Sequence, residues 1–261
     1  MSSPRISVIL PSLREKSVNS RIQEMAACNP DCDYELLIIS PFDVEGPHVV
    51  HIKEHVRRGV IYAMNDAYRY AKGHFIVLWS DDAQPTPNCL NAIADFVADK
   101  KPPFLASFRK QLSNGKETEQ YSIYGRLAPG WLCTTKETIE MVGGLFNPIL
   151  KNYWADPDLA MRVWDKGGSA EVCREASITI LQANDDIKQQ NLTASFQKDM
   201  DTFFNIWHEK YGDGKPRIWW KINKQIPLDL MGHVREFFRE IPYLKQLVDA
   251  TRSFKHSRTQ S

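Results

Sequence analysis

Short apolar runs alternate with helically spaced apolar residues through the first hundred positions. Residues 6–10, ISVIL, are closed by Pro11 and predict a buried first strand. Residues 17–28 carry Val18, Ile22, Met25 and Ala26 at helical spacing until Asn29-Pro30-Asp31 breaks the pattern. A second apolar strand is predicted over 34–39, stopped by Ser40-Pro41, and a third over 49–52. Residues 60–71 are spaced as a helix, with Gly73 just beyond as its C-terminal cap. The run FIVLW, 75–79, then ends on two adjacent carboxylates, Asp81 and Asp82, and Pro85 and Pro87 argue against further regular structure until a helix over 88–98.

The second half is less regular. A strand is predicted over 104–108, a hairpin turn at Ser113-Asn-Gly-Lys, a strand over 127–134 and a short helix over 136–142. Residues 157–166 read as a helix with Asp156 as N-cap and Pro157 at its first position, closed by Gly167-Gly168. Two short strands, 170–173 and 177–181, precede a long amphipathic helix over 192–211. Strands alternating with helices across short loops predict an α/β fold with a mostly parallel central sheet flanked by helices.

Charge divides the chain. From Lys215 onward ten Lys and Arg oppose four acids, net +6, whereas residues 1–214 carry net −5. The expected organisation is a domain over 1–214, with a nucleotide half (1–100) and an acceptor half (101–214), and a helical, basic, aromatic C-terminal extension over 215–261. The extension interleaves Ile218-Trp-Trp-Lys with cations, which suits either a membrane interface or an arm packed on the body or a second subunit. The overall net charge of +1 does not mark a nucleic-acid-binding chain. Five cysteines lack metal spacing and read as reduced thiols of a cytosolic protein. The N-terminal apolar run is too short for a signal peptide, and no stretch approaches the roughly 20 apolar residues of a membrane span.

Asp81 and Asp82 carry the first candidate chemistry. In an open α/β sheet, ligands bind beyond the carboxyl ends of the strands, where this pair would sit. Adjacent carboxylates repel unless compensated, and hard divalent cations favour oxygen ligands. Taken alone, the pair also fits a turn or a helix N-cap.

Four stretches widen the picture: ISVILPSLRE (6–15), GVIYAMNDAYRYAKG (59–73), WSDDAQPTP (79–87), and VGGLF (142–146) with WADPDLAMRVWDKG (154–167). In that order and spacing the sequence resembles the family 2 glycosyltransferases, inverting enzymes of the GT-A fold, over about residues 5–210. The resemblance places the family's D-x-D motif on Trp79-Ser80-Asp81, making Asp81, with Asp82 beside it, the ligand of a Mn²⁺ or Mg²⁺ ion that bridges to the donor's diphosphate. It places the Glu-Asp-x-Asp-Leu motif on 155–159, giving Asp156 the role of general base. It further implies donor contacts from Pro11, Ser12, Glu15, Ser40, Arg58 and Asn65, and acceptor contacts from Trp131 and Asp158. Each of these also has a structural reading: a loop turn, a surface cation, a helix amide, a core Trp, or an Asp158–Arg162 ion pair at (i, i+4).

Three positions depart from the family pattern. Trp79 stands at the first D-x-D position, Ser40 where a base-reading carboxylate is usual, and no His follows the late strands, where Gln182, Asn184, Asp185 and Asp186 are the available ligands. The implied partners are a nucleotide-sugar donor and a glycan or lipid-linked acceptor, with peripheral contact of 216–261 on the inner membrane face and self-association as further expectations. The non-enzyme alternative is a catalytically silent nucleotide-sugar or glycan-binding protein.

Overall fold

The computed structural model describes residues 3–118, 120–124, 126–181 and 185–211; the expected C-terminal extension, Gln182 and Asn184 lie outside them. One eight-stranded sheet runs through the fold in the order β3-β2-β1-β4-β9-β6-β10-β5. Its strands are β1 Ile6–Pro11, β2 Tyr34–Ser40, β3 Val49–Lys53, β4 Phe75–Leu78, β5 Ala83–Pro85, β6 Phe104–Leu112, β9 Leu132–Thr135 and β10 Ser169–Ile180. The short pair β7 (Ser122–Ile123) and β8 (Arg126–Leu127) forms a separate ribbon. β3, β2, β1 and β4 are parallel, β9 runs antiparallel to both β4 and β6, and β10 is parallel to β6.

Two-residue alternation sorts the strand side chains into two cores. Ile9, Leu37, Ile39, Ile76 and Leu78 face one side, and Val8, Leu10, Leu36, Ile38 and Val77 the other. The first side is covered by α2 (Val60–Tyr68), α4 (Lys136–Met141), α5 (Ala155–Asp165) and α7 (Gln197–Tyr211). The second is covered by α1 (Glu15–Cys28) and α3 (Cys89–Ala98). With both faces buried, a strand has no polar side, which is why these runs read as continuous hydrophobic segments.

Several expectations are corrected. Pro85 does not prevent a strand: Ala83–Pro85 pairs antiparallel with the end of β10 at the sheet edge, where a missing N–H is tolerated. The two late strands are one, with a register shift between Cys173 and Ser177. The last helix starts earlier, as α6 (Asp186–Asn191), and passes through a π-helical turn over Leu192–Phe196 into α7. Gly73 does not cap α2, which ends at Tyr68. It is held where a Cβ would lie 2.5 Å from the backbone nitrogen of Ser7, so its bare Cα lets the chain pass against β1. Asp156 is not the N-cap of α5; Trp154 is, at φ 66°, with its ring packed on Phe203 and Phe204. All five cysteines are free thiols, and among the described residues no helix is long and apolar enough to cross a membrane.

Candidate functional site

Because β1, β2 and β4 are parallel, the loops at their carboxyl ends meet on one edge of the sheet. A cavity of about 420 Å³ opens there. It is walled by the loop after β1 (11–14), the turn after β4 (80–82), the entry to α2, residues 151–152 and one face of 187–194. Its charged lining, Arg14, Glu54, Arg57, Asp81, Asp82 and Lys151, pairs three cations with three carboxylates.

The turn bearing Asp81 and Asp82 is fixed from below by Trp79. The Trp79 backbone N–H donates to Ile9 O, its indole Nε1–H donates to Ala83 O at 2.9 Å, and its ring meets Phe108 edge-on at 5.2 Å. Ala83 N–H returns to Ser80 O, closing the turn. The Trp at the first D-x-D position is therefore a core residue that shapes the turn. Asp81 is buried: Ser12 Oγ–H donates to its Oδ2 at 2.5 Å and Arg14 Nη1–H to its Oδ1 at 2.9 Å. Burial raises the Asp81 pKa, opposed by the Ser12 hydrogen bond and by Arg14. Asp82 is half-buried and accepts from Ser80 Oγ.

The second cluster lies in the other half of the sheet. Asp156 stands in the first turn of α5, and a Cβ on Gly130 would lie 3.2 Å from its Oδ2. Burial pushes the Asp156 carboxyl up to about 6, opposed first by its own backbone N–H and then by Lys110. Lys110 is buried, with Nζ 4.1 Å from the Tyr121 ring centre and 5.8 Å from that of Trp131. Trp131 joins the clusters: its indole Nε1–H donates to Ser80 Oγ at 2.7 Å, in the turn that carries Asp81. Asp156 does not line this cavity; it stands against Gly130, the residue before Trp131.

The other expected residues are scattered. Pro11 and Ser12 line the cavity, whereas Glu15 is exposed at the start of α1. Ser40 is fully buried, donating to Phe42 O at 2.6 Å with His51 Nε2 at 3.0 Å, and is not part of the cavity wall. Arg58 lies over the Tyr62 ring outside the cavity, while its neighbour Arg57 faces in. Asn65 is a brace, exchanging hydrogen bonds of 3.0 Å with the backbone of Phe146. Asp158 turns into the core, accepting from Arg162 Nε at 2.9 Å and Trp207 Nε1 at 3.1 Å, so it has the structural role.

Sequence reasoning missed Arg14, Arg57, Lys151, Asn152 and Asp199, whereas Asp185, named among the candidate ligands after the late strands, is met by Arg14. Asp199, buried on α7, accepts the backbone N–H groups of Lys151, Asn152 and Tyr153 at 2.9–3.0 Å. Asn152 in turn accepts from Val60 N at 3.1 Å and donates to Ser195 at 2.8 Å. Gly59, at φ 109° with a prospective Cβ 2.5 Å from Lys151 O, lets α2 begin against this loop. The signal at Arg14 was its position directly after the first-strand turn; nothing local marks Asp199.

A sheet of this topology with its cavity at the β1, β2 and β4 ends is the GT-A architecture of glycosyltransferases. Residues 32–146 match the sequence profile of glycosyl transferase family 2, and the fold on which that match falls is of the GT-A kind. The match includes Asp81 and Asp82 and ends before Asp156.

Solved structures agree in fold. Mannosyltransferase PcManGT from Pyrobaculum calidifontis, solved with GDP-Man and Mn²⁺, superposes with a TM-score of 0.61 at 16% identity, over 97% of this chain and 76% of that one. GalNAc-T7, solved with UDP, GalNAc and Mn²⁺, gives 0.61 at 11% identity, over 81% of this chain and 49% of its own. TarS 1-349 of S. aureus, with UDP-GlcNAc, gives 0.61 at 14%, over 78% and 65%. The chain thus spans about half the length of the GalNAc-T7 chain. No curated protein matches it in sequence.

Proposed function

We propose that this protein transfers a sugar from a nucleotide-sugar donor to a hydroxyl of a glycan or lipid-linked acceptor, with inversion at the anomeric carbon. The observation that carries the proposal is the pairing of two sites across Trp131. One is a cavity holding Asp81, Asp82 and three cations; the other is a carboxyl with its pKa raised to about 6, poised to take a proton near neutral pH. Asp156 Oδ accepts the proton of the acceptor hydroxyl as that oxygen bonds to the anomeric carbon. The bond from that carbon to the diphosphate oxygen breaks, and the nucleoside diphosphate leaves with the electron pair. Arg14, Arg57 and Lys151 supply positive charge where that diphosphate would lie.

The neighbours solved with Mn²⁺ support a divalent ion as well. Among the described residues no three His, Cys, Asp or Glu side chains converge, but Mg²⁺-type sites need only one or two carboxylates with substrate phosphates completing the shell. Asp81 and Asp82 fit that pattern and would hold the ion. When bound it offsets charge on the departing diphosphate.

A panel of nucleotide-sugars with Mn²⁺ or Mg²⁺, followed by thermal shift and donor hydrolysis, tests the reading. At least one donor should raise the melting temperature of the wild type, and Asp81→Ala should abolish the shift. No stabilisation by any nucleotide with metal would refute the donor site; binding without hydrolysis or transfer would favour the silent alternative. For the basic segment 216–261, its nine-to-four excess of cations supports attraction to anionic lipid. Its deletion should release the protein from anionic vesicles in a sedimentation assay, and unchanged sedimentation would favour the packed arm.

A further inference from the structure

Asp81 already has a cation. The Arg14 guanidinium spans two carboxylates that lie far apart in the chain: Nη1 is 2.9 Å from Asp81 Oδ1, and Nη2 is 2.8 Å from Asp185 Oδ1, with Nε on Asp185 Oδ2. Ser12 holds both partners in place, its hydroxyl donating to Asp81 and its Oγ accepting the Arg14 backbone N–H at 3.0 Å. All three guanidinium nitrogens donate to these carboxylates, Nη1 reaching Asp81 Oδ2 as well at 3.3 Å. The side chain lines the cavity and is 22% exposed.

We propose that Arg14 is the resident counter-cation of Asp81, and that a divalent ion and Arg14 compete for that carboxylate. The proposal rests on the donor-site reading above. A guanidinium and a doubly charged ion on one buried carboxylate repel each other strongly, because little solvent screens them. An entering ion must therefore displace Arg14 from Asp81. The displaced planar fork matches the oxygens of a diphosphate, so a nucleoside diphosphate offsets the loss and metal binding becomes cooperative with the donor.

The exchange also reaches the cavity wall. Asp185 caps α6 by accepting Lys188 N–H at 2.9 Å, and Ile187, Gln190 and Asn191 of the same segment line the cavity. Moving Arg14 off Asp81 removes the tie between that carboxylate and this wall.

Titration of Mn²⁺ into the full chain without nucleotide, read by the electron paramagnetic resonance signal of free Mn²⁺, separates the cases. Arg14→Gln should bind Mn²⁺ about tenfold or more tightly than the wild type, the scale of a lost charge-assisted hydrogen bond. Adding UDP or GDP should narrow the gap, and Asp81→Asn should lose binding in both backgrounds. Circular dichroism verifies folding, and Arg14→Lys, which keeps charge without the fork, should fall between. Equal Mn²⁺ affinity in Arg14→Gln and wild type would overturn the competition while leaving the metal ligand intact. No Mn²⁺ binding by either would overturn the metal reading with it.

Discussion

Asp156→Asn should abolish transfer and at the same time stabilise the protein above pH 6. Removing a general base costs about 10²- to 10⁴-fold in rate, with donor binding retained because Asp156 lies outside the donor cavity. The stability change has the opposite sign because the carboxyl is held at about 6 rather than 3.8. Between those two values the native protein binds the proton more tightly than the unfolded chain, so stability falls as pH rises and the cost is complete above about pH 6. Two pKa units amount to about 3 kcal/mol, an upper figure for what the amide recovers. Chemical denaturation at pH 4 and pH 8 should show the variant gaining only at the higher pH. The wild-type kcat/KM should climb with pH and level off above about 6. A pH-independent rate, or an active Asp156→Asn, would remove Asp156 from the reaction.

Asp158→Ala should damage the fold severely. Asp158 is 1% exposed, and its removal leaves Arg162 without its carboxylate and Trp207 Nε1 without an acceptor. Arg162 simultaneously donates to the backbone oxygens of Val142, Gly144 and Leu145, so the loop entering α5 depends on its position. Breaking such a buried pair costs about 3–5 kcal/mol, measurable as a shift of the urea midpoint. If stability held and only the acceptor KM rose, Asp158 would be an acceptor contact after all.

These two carboxylates show where sequence reading succeeds and stops. Both sit in one motif, two residues apart, and the family resemblance assigned each a function. Two helical steps, about 200° around the axis, separate a side chain beside Gly130 from one turned onto α7, and the motif alone cannot tell which packing neighbour will meet it. The strands were legible because burial on both faces leaves a nearly continuous apolar signature, interrupted only by the buried Ser7 and Glu35; residues 6–10, 34–39 and 75–79 needed little more. β5 was missed because Pro85 reads as a breaker, and only the strand's edge position makes that proline acceptable. The break at Arg174-Glu175 in β10 looked like a loop because a register shift interrupts the apolar run without ending the strand. Arg14 carried only a weak positional signal because its partners, Asp81 and Asp185, lie 67 and 171 residues away. Ser40 and Asn65 matched by position yet are consumed by local hydrogen bonds, as buried polar groups must be.

Asp199 also governs when the site comes into being. The loop carrying Lys151 and Asn152 is held by three N–H bonds to a side chain on α7, the last described helix. On a ribosome the strands that bear Ser12, Asp81 and Asp82 emerge long before residue 199, and the cavity they floor lacks one wall until that helix docks. The cavity is thereby completed only once residue 199 has been made, so a chain ending before it should lack the wall that Lys151 and Asn152 provide.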